Sequence, residues 1–173
     1  MEYVKTESET NMQSVIAWLD SVRRCAIALG RTTSAIKELN NLDSVGRPRY
    51  DVALNTQRQG DRIGRLLVQR EESTEKLQAE RDYLLPAVSS CISFLTYAQQ
   101  QSATPSAYHY LLQYYAHGVP LEQAAKAAKL DQWQARMVPR QLAAEMYALD
   151  PGRFKPIAQS FGRYGYKEFM DGA

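Results

Sequence analysis

The chain of 173 residues has only two cysteines, Cys25 and Cys91, and only two histidines, His109 and His117. No CxxC or HExxH string occurs, so neighbouring residues cannot assemble a zinc site. His109 and His117 stand eight residues apart, two turns along one helix, too far to chelate an ion by themselves. Neither histidine has a carboxylate or thiol at a motif spacing, and catalysis needs converging groups. The chain therefore reads as a non-enzyme that needs no cofactor, metal or disulfide. The lone GxxxG at Gly60 and Gly64 lacks the lysine and the serine or threonine of a phosphate loop, and reads as a frayed helix start.

Long apolar runs are missing too. Nothing approaches the ~20 residues that span a bilayer, and the opening MEYVKTESET is polar and acidic, without the apolar core of a leader. Two thiols on apolar stripes, without a disulfide framework, fit small core hydrophobes in a reducing compartment. The expected location is the cytoplasm, with no membrane partner.

Charge of one sign is scarce: Lys plus Arg number 21 and Asp plus Glu 19, a net of +2. That excludes a histone-like binder and requires any nucleic-acid surface to be local. From Pro105 onward there are eight basic residues against six acids. So small an excess implies few phosphate contacts per protomer, and hence binding as a homodimer.

What is present is helical periodicity, without an internal repeat. Val15, Leu19, Val22, Ala26, Leu29, Thr33 and Ile36 recur at alternating spacings of four and three, the mark of a helix packed along one seam. A second seam runs through Ile63, Leu67, Arg70, Thr74, Leu77, Arg81, Leu84, Val88, Cys91 and Leu95. Between them, Asn41 to Gly60 has enough glycine, proline and asparagine to turn the chain back. The simplest architecture is an all-α chain in which residues 1–100 form an antiparallel hairpin or coiled coil for oligomerisation or docking. Pro86 implies either a fresh helix opening there or a kink. The charged run Arg70 to Asp82 reads as a solvated face with local ion pairs, or as a docking surface. Arg47, Arg49 and Arg58 in the connection could touch phosphate.

After the polar spacer QQQSAT (residues 99–104), residues 105–150 carry a different pattern. The two parts could move independently. Tyr108, Leu111, Leu112 and Tyr115 fall at helical spacing and stop at Gly118, and Pro120 suits the first turn of a following helix. Tyr108, Tyr110, Tyr114 and Tyr115 could stack on bases, though tyrosines among leucines more often serve as core and rim.

Leu121 to Arg140 is the most informative stretch. Leu121, Ala124, Ala125 and Ala128 share one helix face, and alanine lets a second helix cross close against it. Leu130 plugs the corner, Asp131 can cap the next helix, and Ala135 and Val138 continue the apolar stripe. The pattern is that of a helix-turn-helix, and duplex DNA is the implied partner. Gln132, Trp133, Arg136, Met137 and Arg140 then project toward a major groove. Arg136 and Arg140 suit guanine or phosphate, Gln132 and Gln134 suit adenine, and Lys126 and Lys129 complete the candidate DNA-binding set. The same pattern also describes an antiparallel corner in any helical bundle. Lys129 occupies a turn position that often holds glycine, where a left-handed conformation would cost about 1 kcal/mol. Pro139 implies a kink or a break.

Residues 151–173 form a tail that interleaves Arg153, Lys155, Arg163 and Lys167 with Phe154, Phe161, Tyr164, Tyr166 and Phe169. Such a mixture suits nucleic acid, or packing back over the core or onto a second protomer.

The order of parts, with Leu111, Tyr114, Tyr115, Gly118 and Ala125 in an LxxYYxxGxxxxxxA string, resembles the RinA/ArpU class of bacteriophage transcriptional regulators. Residues 108–147 look like a sigma-factor region-4-type helix-turn-helix, and the hairpin matches in outline. The resemblance implies sequence-specific binding to double-stranded promoter DNA in the host cytoplasm, activation of late phage genes, and contact with host RNA polymerase. It passes the recognition role to Gln132, Trp133, Arg136 and Arg140. Lys129, Pro139 and the aromatic tail depart from that pattern. The competing expectation is a phage interaction or assembly protein, or a polymerase-binding factor, without DNA specificity.

Overall fold

The computed structural model describes residues 6–44 and 56–157, and within these the side chains other than those of residues 42–44, 56–63 and 67. Every regular element among the described residues is a helix, without a strand: α1 Glu7–Ser44, α2 Thr56–Gln101, α3 Pro105–Leu111, a π turn Leu112–Ala116, α4 Leu121–Ala127 and α5 Gln132–Leu149. The all-α expectation holds.

The two long seams meet as the periodicity implies. Trp18 packs edge-on against Phe94, Cys25 clusters with Leu84 and Val88, and Arg70 donates to the Leu39 carbonyl, so α1 and α2 run antiparallel. No basic residue stands in the last turn of α1, and the Arg70 cation supplies a favourable charge near that negative helix end. Along α2, Leu84, Val88, Cys91 and Leu95 are buried as expected. Along α1, Val15, Leu19, Val22 and Ile36 are buried as expected and Ala26 and Leu29 are half-buried, but Thr33 is exposed and its neighbour Thr32 is buried instead. The side chains of Ile63 and Leu67, the connection through Arg47 and Arg49, and the side chain of Arg58 lie outside the described residues. In the charged run, Arg81 and Asp82 pair at 3.5 Å on the surface, where such a pair adds little stability.

The segment from Tyr108 to Ala116 is the hub. α3 packs on α2, α4 and α5, and the π turn on α1, α2 and α4. Tyr108, Tyr110, Leu111, Leu112, Tyr115 and Ala116 are all buried, more of the circumference than one amphipathic stripe would cover. Helices packed on several sides make this possible, and in the π turn the His117 amide reaches back five residues to the Leu112 carbonyl at 2.9 Å, which rotates the side chains that follow relative to a regular helix. The tyrosines thus belong to the core, and the base-stacking alternative loses Tyr108, Tyr110 and Tyr115.

One continuous core joins both halves, with Val15, Trp18, Leu95, Leu111, Ala125, Val138 and Met146 in a single cluster. The polar spacer after α2 does not divide two cores. Phe154 completes the cluster, in edge contact with Trp18 (centroids 5.2 Å apart) and with Phe94 (5.8 Å). The Ile157 amide donates to the buried Ser21 hydroxyl at 3.0 Å, so the first part of the tail folds back over the bundle. Phe161, Arg163, Tyr164, Tyr166, Lys167 and Phe169 lie outside the described residues. α2 runs through Pro86, and α5 runs through Pro139 without a break. Pro86 is exposed, so water can satisfy the carbonyl that lacks its helical donor; Pro139 is instead turned into the core.

Candidate nucleic-acid interface

α4 is capped at Ala128, and the turn follows the alanine spacing closely. The Leu130 amide reaches the Ala125 carbonyl at 2.9 Å and the Lys129 amide reaches Lys126 at 3.1 Å, which ties off the carbonyls at the helix end. Lys129 takes φ of 57°, the left-handed conformation, rather than the helical or tighter turn that would have avoided its cost. Leu130 is half-buried at the corner and packs on the core.

Asp131 then opens α5 with a capping box. Its carboxylate accepts from the Gln134 amide at 2.7 Å, while the Gln134 side-chain oxygen accepts from the Asp131 amide at 3.0 Å. Gln134, a candidate adenine reader, is therefore held at the helix start. Gln132 is exposed but donates to the Glu122 carboxylate at 3.3 Å, so reading a base requires releasing that bond.

The alternation along α5 is clean. Ala135, Val138, Leu142, Ala143 and Met146 are buried, and Trp133, Arg136 and Arg140 are exposed on the other side, with Met137 half-buried between them. Trp133 is 69% exposed, the most open large apolar side chain among the described residues. Lys126 and Lys129 are exposed on α4 and the turn. The structure thus brings Gln132, Trp133, Arg136 and Arg140 onto one helix surface, with the two lysines on the preceding helix and turn.

Two features escape sequence reasoning. α1 runs beside α5, so Arg140 shares a groove of about 360 Å³ with Glu7, Asn11 and Met12, and an acidic helix start borders the basic stripe. Arg23 of α1 also reaches the foot of this unit. Its guanidinium donates from Nη1 to the carbonyls of Tyr114 and of Val119, the latter at 3.1 Å, and lies over the Tyr114 ring. Tyr110 stacks on Tyr114 with centroids 5.6 Å apart. Burial raises the Tyr110 phenol to about 12, Tyr114 adds to the rise, and Arg23 and Arg136 offset part of it. Burial likewise holds the phenols of Tyr108, beside Glu145, and of Tyr115 well above the ordinary tyrosine value. These rings are neutral structural parts at physiological pH. No local signal marks Arg23, whose partner lies 91 residues away.

His109 is half-buried and His117 exposed, and no group of three metal-ligating side chains gathers among the described residues. Among the same residues no helix is long and apolar enough to cross a membrane. Compared with protein families, curated proteins and solved structures, the chain matches none.

Proposed function

We propose that this chain is a sequence-specific double-stranded DNA-binding transcriptional regulator that acts as a homodimer. The observation that carries the reading is the stripe of Trp133, Arg136 and Arg140 along the open side of α5, presented by a capped helix crossing a short alanine-rich one. In this reading the first half of α5 enters the major groove. Arg136 takes a guanine edge with two parallel hydrogen bonds, and Arg140 takes guanine or the adjoining phosphate. Lys126 and Lys129 contact the phosphates that flank the groove, which fixes register without reading sequence. The Trp133 ring supplies apolar contact to a thymine methyl, and Gln132 reads adenine once Glu122 lets it go. In this reading the chain works as a RinA/ArpU-type phage regulator does, with a phage promoter as target, host RNA polymerase as a second partner and the host cytoplasm as the place of action.

A second reading, an interaction or assembly protein or a polymerase-binding factor without DNA specificity, is favoured by the placement of Glu122 against Gln132 and of Glu7 beside Arg140. Both carboxylates repel phosphate. Selection of bound duplexes from a random pool separates the two readings. The regulator enriches a recurring site over successive rounds; the alternative enriches none, and RNA polymerase retained by the protein from lysate then identifies the polymerase-binding form.

A further inference from the structure

The outer face of the second half of α2 carries no charge, and we propose that two copies of this chain pair through it. Residues 83–121 contain no Asp, Glu, Lys or Arg, whereas the thirteen residues before them, from Arg70 to Asp82, include eight. Much of the uncharged stretch is interior, and there the absence needs no further cause. The rest is surface: Leu85 is 48% and Tyr97 51% exposed, and Pro86, Ser89, Ser93 and Thr96 are exposed with them. A helix face that meets only water usually carries charge, as the first half of α2 does. Depletion of Lys, Glu and Asp around an exposed tyrosine is the composition of an interface core.

The absence of charge also selects the occupant. A two-fold interface sets a patch against itself, so any net charge on it meets its like; a neutral face avoids that repulsion. A partner of opposite charge would find no charged side chain on this helix face to recognise. Ser89 and Ser93 are small enough for a second helix to approach closely. Beside Tyr97 a groove of about 340 Å³, lined by Ser90, Ser93, Phe94 and Leu149, has room for an aromatic ring from the second copy. Its rim is polar: Arg153 pairs with Asp150 at 2.9 Å and donates to Ser90 at 3.1 Å. α5 packs on α1, α3 and α4, so pairing through α2 leaves Trp133 and Arg136 uncovered.

The pairing rests on the dimeric reading above, yet its test needs no DNA. The mass of the full-length chain is measured by light scattering during size exclusion across a dilution series, for wild type, Ser93→Glu, Ser93→Arg and Tyr97→Ala. Both positions changed are exposed, and unchanged circular dichroism verifies the fold. Wild type is expected to be a dimer that dissociates on dilution, and each variant to weaken it at least about tenfold. An equimolar mixture of the two Ser93 variants regains the dimer, because opposite charges then face one another. A wild type that is monomeric at every concentration overturns the proposal. So does a dimer indifferent to all three substitutions, which would place the contact elsewhere, for example at the exposed Leu66 and Val68. Loss of DNA binding with the dimer intact would sink the regulator reading alone.

Discussion

The guanidinium of Arg23 lies 3.7 Å from the centre of the Tyr114 ring, and through this contact α1 grips the segment that leads into α4 and α5. The same group donates to the Tyr114 and Val119 carbonyls, which the π turn and the reversal at Gly118 leave without regular helical donors. A positive charge on an aromatic face and two hydrogen bonds to backbone act together here. Arg23→Met keeps most of the apolar stem but removes the donors and the charge. It is expected to lower stability by about 2 kcal/mol in urea unfolding. Arg23→Lys should recover only part, since one ammonium cannot reproduce the planar fork. A loss within experimental scatter for Arg23→Met would show that the grip contributes nothing.

Glycine to alanine should change sign between two places. Gly118 has φ of +68°, and a Cβ there would sit 3.4 Å from Ile27 Cγ1. Gly118→Ala is expected to cost about 1–2 kcal/mol, since the left-handed region is strained for any side chain. Gly30 lies in the middle of α1 with nothing within 4 Å of its added Cβ. Gly30→Ala is expected to gain about 0.5–1 kcal/mol. Thermal melts of the two variants should move in opposite directions.

Lys129 separates stability from binding. Its φ of 57° favours glycine, so Lys129→Gly should leave stability unchanged or raise it by up to about 1 kcal/mol. If Lys129 contacts phosphate, the same variant binds duplex DNA more weakly and with a shallower salt dependence. A melt and a binding curve on one preparation decide both points.

Stability should fall on the alkaline side. Burial raises the Cys91 thiol from 9.0 to about 12, and the Tyr110 phenol from 10.0 to about 12. Both groups are neutral in the fold while the unfolded chain releases their protons first. Between pH 9 and pH 12 the unfolded state therefore binds fewer protons, and unfolding becomes easier as pH rises. Their contribution is complete below pH 9 and is lost as pH climbs toward 12. Urea midpoints measured across this window should decline, and a flat profile would contradict the burial. Cys25 and Cys91 should also resist a thiol reagent at neutral pH until denaturant is added.

Much of this architecture is legible in the residue pattern, for identifiable reasons. Leu84, Val88, Cys91 and Leu95 repeat at helix spacing, and Ala124, Ala125, Ala128 and Asp131 mark a close crossing and a cap, all of them local signals. The burial of Tyr110 is not legible, because it depends on α2, α4 and α5 all closing around α3. Nor is the place of Phe154, whose partners Trp18 and Phe94 are far away in sequence. The candidate interface divides in the same way. Exposure of Trp133, Arg136 and Arg140 follows from the period of α5, while the engagement of Gln132 by Glu122 and of Gln134 by Asp131 depends on side-chain geometry that spacing does not encode.

The central claim is that the open stripe of α5 binds duplex DNA. Fluorescence anisotropy on mixed-sequence duplex across a salt series, for wild type beside an Arg136→Ala, Arg140→Ala double variant, tests it most directly. The expected result is wild-type affinity that falls steeply with salt and a variant that binds more weakly with a smaller slope, since each phosphate the variant no longer neutralises reduces the slope by about 0.9. No wild-type binding at low salt, or a variant indistinguishable from wild type, would contradict the claim.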